Sequence, residues 1–155
     1  MILVDSSVWI DFFGASPGPA GKELYRMISE AEPLALAGVV VTEVLQGLRR
    51  NVGEIERYLA MWEILEPAGY STYREAADVF RRARAKGISL STIDALIAAL
   101  ALEHRARLFT LDIDFSRFAQ LVNLPLHQAR YRVGRCPRAA GISPSHSVRF
   151  QVDCR

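Results

Sequence analysis

Soft metal ligands are scarce in this chain. Its 155 residues hold two cysteines and three histidines. Cys136 and Cys154 both lie near the C-terminal end, at a spacing that matches no zinc site, so neither a thiolate metal centre nor a disulfide scaffold is expected. Long apolar runs are missing too. The longest, around Ala95–Leu102, falls far short of the ~20 residues that cross a bilayer. No charged leader precedes the opening apolar run, and Asp5 interrupts it, so no signal peptide is expected and a cytoplasmic protein is. Lysine is almost absent. Lys22 and Lys86 are the only two, and neither stands where a receiver-type domain needs a lysine at the end of its sheet.

What is present describes a folded domain. Half of the residues are hydrophobic and 23% are charged, and a chain of this length buries a substantial core. The formal charge of +2 hides an asymmetry. Six arginines and a single acid, Asp153, fall in residues 128–155, so the rest of the chain is slightly acidic. Sustained periodicity stops at His127. Two domains of unequal kind are therefore expected: a patterned body over residues 1–127, and an irregular basic extension over residues 128–155.

Along the body, Met1–Val4 reads as a buried strand. Ser6 or Ser7 is placed to cap a helix through Val8–Phe13. A loop containing Gly14, Pro17, Gly18 and Pro19 follows, then helical spacing over Lys22–Ala31 that Pro33 stops. Leu34–Val41 has strand character and Thr42–Arg50 helical character, with no clear junction. Glu54–Leu65 reads as a helix followed by a short strand. Thr72–Ala85 is a helix ending at Gly87, and Ser91–His104 an apolar, buried helix. Arg107–Leu111 reads as a strand, Phe115–Leu121 as a helix and Val122–Leu126 as a last strand. Strands separated by helices predict an α/β fold with a parallel sheet.

Acids recur where such sheets bind ligands, outside the C-terminal ends of their strands. Asp5 follows the first strand, Glu43 the second apolar run, and Asp112 and Asp114 the strand Arg107–Leu111. Asp94 lies in the first turn of the buried helix. Local explanations exist for each. Asp5 and Asp114 are placed to cap helices, Ser91-x-x-Asp94 has capping-box spacing, Asp112 fits an ordinary loop, and Glu43 fits a solvated helix face. Asp11, Glu23, Glu30 and Glu56 are assigned to solvated faces. Caps do not explain the set of five, because carboxylates crowded at one sheet edge repel one another unless a cation compensates them. An all-oxygen set suits Mg²⁺ or Mn²⁺, and such ions support phosphodiester hydrolysis by activating water.

Four segments then stand in a suggestive order: VDSSVWID, TEVLQGL, STIDALIAALAL and LFTLDIDF. In that order and spacing the chain resembles the PIN-domain ribonucleases, most closely the VapC-type toxins of toxin–antitoxin pairs. The resemblance covers roughly Met1–His127. It implies a four- or five-stranded parallel sheet flanked by helices, with an acidic pocket for one or two Mg²⁺ or Mn²⁺. By position, Asp5, Glu43 and Asp94 match the first three acids and either Asp112 or Asp114 the fourth, with Asp112 nearer the strand end. Asp5 and Asp94 would hold the principal ion. Ser6 and Thr110 match small hydroxyl positions that support the pocket. The resemblance also implies RNA as substrate, a VapB-like antitoxin that wraps the toxin and blocks the pocket, and a homodimer. An RNA-processing nuclease outside such pairs, and a non-catalytic module whose acids are only caps, are the competing readings.

Positive charge for RNA would come from Arg49 and Arg50, or from Arg81, Arg82, Arg84 and Lys86, although the second run also fits a solvated helix face. Trp9, Phe12 and Phe13 have a spacing that fits helix packing or a protein interface, with core packing expected ahead of base stacking. His104 suits a helix end, while His127 and His146 have no partner that spacing suggests.

Overall fold

The computed structural model describes residues 1–128. The basic extension, with Cys136, His146 and Cys154, lies outside the described residues apart from Gln128. Within them the chain forms four strands and seven helices: β1 (Ile2–Val4), α1 (Ser6–Phe13), α2 (Pro19–Ser29), β2 (Leu34–Ala37), α3 (Gly38–Gln46), α4 (Val52–Leu59), β3 (Glu63–Leu65), α5 (Tyr70–Ala85), α6 (Thr92–Glu103), β4 (Arg107–Phe109) and α7 (Ile113–Val122). The strands form one parallel sheet in the order β3-β2-β1-β4.

The central strands read ILV and LALA without alternation, and every residue in them is buried. That is the pattern of a parallel strand covered on both faces. The junction left open by the sequence falls at Gly38: the strand ends at Ala37 and the valines that follow belong to α3. β-branched residues read as strand by propensity, but here Val40 and Val44 share a helix face and are buried together.

The expected last strand is corrected. α7 runs on through Val122, and Asn123 ends it in the left-handed conformation at φ 53°. After that turn only Leu126 pairs, in an isolated parallel bridge to Leu108. The sheet is thus four-stranded among the described residues, within the expected range.

Helix α1 packs on both α2 and α3. Its contact with α2 is close enough that a Cβ on Gly21 would stand 2.9 Å from the Phe12 backbone. Trp9 and Phe13 are fully buried and stack at 5.7 Å between centroids, with Phe12, Tyr58 and Trp62 packed around them. These aromatics are core and interior edge, as their spacing suggests. Burial raises the Tyr58 pKa above the ordinary phenol value.

Two acids assigned to solvated faces are structural. Asp11 accepts the Gly18 amide on one oxygen at 2.9 Å and the Gly21 amide on the other at 2.6 Å. A side chain from α1 therefore caps α2, whose own Gly18 has no side chain to do so. Glu23 is 2% exposed. Arg26 donates to both of its oxygens, at 2.9 and 3.2 Å, and also pairs with Glu32 and Glu30. The hydrogen bond to Glu23 is the main reason the Arg26 pKa lies above its ordinary value, with Glu32 and Glu30 adding to it and burial opposing. His127, also without an expected partner, brings Nε2 to 3.3 Å from Glu23 and its ring against Phe109.

Candidate functional site

Parallel pairing puts the C-terminal ends of β1, β2 and β4 on one edge of the sheet. Asp5 stands immediately after β1 and Asp112 three residues after β4. Glu43 lies on α3, which starts directly at the end of β2, about 8 Å along the helix at 1.5 Å per residue. Asp94 lies in the first turn of α6, which the short connection from His104 to Ala106 joins to β4, with Arg105 in the left-handed conformation at φ 51°.

Asp5 is the best-defined group at this edge. It is 5% exposed and caps α1. Oδ2 accepts the Ser7 hydroxyl at 2.5 Å, the Thr110 hydroxyl at 2.9 Å and the Ser7 amide at 3.3 Å. Each hydroxyl is itself an acceptor: the Leu111 amide donates to Ser7 Oγ at 3.1 Å and the Asp112 amide to Thr110 Oγ1 at 3.0 Å. An amide can only donate, so each hydroxyl proton is left for Asp5. Oδ1 takes no hydrogen bond from the described residues. Thr110 supplies one hydroxyl to Asp5, and the other comes from Ser7, where Ser6 was expected. The signal was available. If Asp5 is the N-cap, Ser7 is the second helical residue, the one a capping side chain meets.

The remaining acids divide between caps and open positions. Asp94 is half-buried in a complete capping box with Ser91, accepting the Ser91 amide on Oδ2 at 2.7 Å. Asp112 caps α7 by accepting the Asp114 amide on Oδ1 at 2.8 Å. The cap is therefore Asp112, where Asp114 was expected. Asp114 pairs with Arg117 at 3.2 Å. Glu43 is half-buried and has no hydrogen-bond or ion-pair partner among the described residues.

The structure thus links Asp5 to the Asp112 main chain through Thr110, and no bond among the described residues joins Glu43 or Asp94 to Asp5. Among the described residues, no three Asp, Glu, His or Cys side chains are gathered closely enough to hold a metal ion as they lie. The donor chemistry nevertheless fits a hard divalent cation. Asp5, Asp94 and Asp112 each keep one oxygen outside their caps, and Glu43 keeps both.

Of the basic residues, Arg81 pairs with Asp78, and Arg82 donates to the Leu121 carbonyl. Arg84, Lys86, Arg49 and Arg50 are exposed. His104 ends α6 and meets the Glu66 carbonyl at 3.0 Å through Nε2. No described helix is long and apolar enough to cross a membrane.

Comparison with known proteins agrees with this architecture. The PIN domain family model matches residues 2–121. Ribonuclease VapC11 of Mycobacterium tuberculosis is 37% identical over 128 residues, covering 80% of this chain and 96% of the relative. A toxin–antitoxin complex from Klebsiella pneumoniae superposes with a TM-score of 0.61 at 22% identity, over 75% of this chain and 91% of that one. VapBC2 from Rickettsia felis, solved with a DNA fragment from their promoter, gives 0.65 at 21% identity, over 82% and 98%. The sheet order, the strand-edge acids and a match that spans nearly the whole of a VapC ribonuclease establish that this chain belongs to the PIN-domain family, in its VapC branch.

Proposed function

We propose that the protein is a metal-dependent endoribonuclease, the toxin of a VapBC-type pair. The observation that carries this reading is the hydrogen-bonded path from the Asp112 backbone amide through the Thr110 hydroxyl to the Asp5 carboxylate, which ties the segment bearing Asp112 to the end of β1. It occurs in a chain that matches a named VapC ribonuclease over 96% of that protein's length.

Asp5 and Asp94 would hold Mg²⁺ or Mn²⁺, with Glu43 and Asp112 completing the set. When bound, such an ion lowers the pKa of water and neutralises charge on a phosphodiester. Asp5 needs no rearrangement, since its free oxygen is already fixed by the bonds to the other. Asp94 has to use the oxygen left outside its capping box or leave the box. Glu43, which no described residue restrains, is suited to orient or accept a proton from the attacking water. Arg49 and Arg50 follow the far end of α3, about 14 Å from the strand edge at 1.5 Å per residue. They therefore suit flanking RNA rather than the scissile phosphate. A VapB-like antitoxin and a second copy of the chain complete the proposed assembly. The antitoxin is supported by the fold shared with a toxin–antitoxin complex.

A second reading has an observation in its favour. Asp5, Asp94 and Asp112 all serve helix caps, as a non-catalytic module would require. One substitution separates the two readings. Asn caps a helix about as well as Asp, so Asp5→Asn keeps the cap and removes the charge. RNA cleavage by the purified wild type with Mg²⁺, lost in Asp5→Asn at an unchanged melting temperature, supports the nuclease. Equal treatment of RNA by both proteins leaves the caps as the whole explanation.

A further inference from the structure

The pair of hydroxyls on Asp5 has a consequence for which cation the site accepts. All three donors converge on Oδ2, two of them hydroxyls whose protons are directed there by backbone amides. Oδ2 holds three donors, and Oδ1 takes no hydrogen bond from the described residues. The carboxylate is also held from two sides, by α1 through Ser7 and by the segment after β4 through Thr110. It can neither rotate nor offer both oxygens to one ion without breaking these bonds.

Coordination chemistry makes that restriction selective. Mg²⁺ requires near-ideal octahedral geometry at short distance, which a one-oxygen carboxylate satisfies. Ca²⁺ takes six to eight oxygens and gains from carboxylates that bind through both. We propose that Ser7 is a positioning residue that, with Thr110, holds Asp5 as a one-oxygen ligand and so sets the preference of the site for Mg²⁺ over Ca²⁺. This rests on the metal-dependent reading above. Ser7 touches neither ion nor substrate in this account. It acts through Asp5, and its bond from Leu111 ties the register of α1 to the segment that carries Asp112.

The test is calorimetric titration of the full chain with Mg²⁺ and with Ca²⁺, for wild type, Ser7→Ala and Ser7→Thr. Hydrogen exchange of the Leu111 amide is read without metal alongside it. Removing a group that orients a metal ligand costs roughly ten- to a hundredfold in affinity. Ser7→Ala is expected to lose Mg²⁺ affinity by that factor and Ca²⁺ affinity by much less, with faster Leu111 exchange. Ser7→Thr, which keeps the hydroxyl, should restore all three. Thr110→Val carries the same titration from the other side of the clamp if Ser7→Ala melts too low. Unchanged ion preference in Ser7→Ala overturns the proposal, as does a loss of both ions in equal proportion. Wild type that takes up neither ion sinks the metal-dependent reading itself, and Leu111 exchange then still reports whether the clamp exists.

Discussion

The acids around α2 and the acids at the sheet edge are built from the same chemistry and treated in opposite ways. Glu23 is more deeply buried than any carboxylate at the edge, yet both its oxygens are occupied by Arg26 and one is also met by His127. Asp11 spends one oxygen on each of two amides. At the edge, Asp5 crowds three donors onto one oxygen and leaves the other, and Glu43 has no described partner. Burial alone does not separate the two regions. They differ in whether an oxygen is left over and whether a cation is already supplied. Glu23 carries its own cation in Arg26 and Asp11 has an amide on each oxygen, while among the described residues none of the edge acids except Asp114 has a cation partner.

Five substitutions would break or sharpen that contrast. The largest effect belongs to Asp5→Asn, which should lower RNA cleavage by about 10³-fold, or ~4 kcal/mol of barrier, while the thermal midpoint stays close to wild type. A midpoint that falls sharply would place Asp5 with the structural acids. Glu23→Ala should show the reverse, losing ~2–4 kcal/mol in urea denaturation because Arg26 and His127 lose a buried partner. The lower end is favoured, since Arg26 is 28% exposed and retains Glu30 and Glu32. Cleavage per folded molecule should persist. Asp11→Ala should cost ~1–2 kcal/mol of stability by uncapping α2, again without a catalytic defect. The smallest effect is expected for Asp114→Ala. Loss of an exposed pair with Arg117 and of an acid in the first turn of α7 costs about 0.5 kcal/mol. Cleavage should survive it but not Asp112→Asn. If the two outcomes are exchanged, the fourth acid is Asp114.

Much of this protein was legible from local spacing. Ser91-x-x-Asp94 reads as a capping box and forms one, because its partners are three residues apart on a chain whose helix is already dictated by its apolar content. The apolar runs at residues 2–4 and 34–37 read as buried strands because both sheet faces are covered. The boundary at Gly38 was not legible. β-branched residues continue across it, and only the burial of Val40 and Val44 on a common helix face decides it. Ser7 is told from its neighbour once Asp5 is taken as the N-cap, since a capping side chain meets the second helical residue, and its bond from Leu111 is what only the fold supplies.

The sequence by itself determined the α/β order, the local caps, and the placing of acids at strand ends and helix starts. Tertiary structure alone decided which distant groups meet those acids, whereas the arginines that pair with Glu23 and Asp114 stand three residues away on the same helices. Glu23 and His127 are 104 residues apart, and Asp5 and Thr110 are 105 apart. Such pairs are selected by how helices and strands pack, not by propensity or period. Local hydrogen bonds close over one helical turn and leave a mark in spacing, whereas a bond across the fold leaves none.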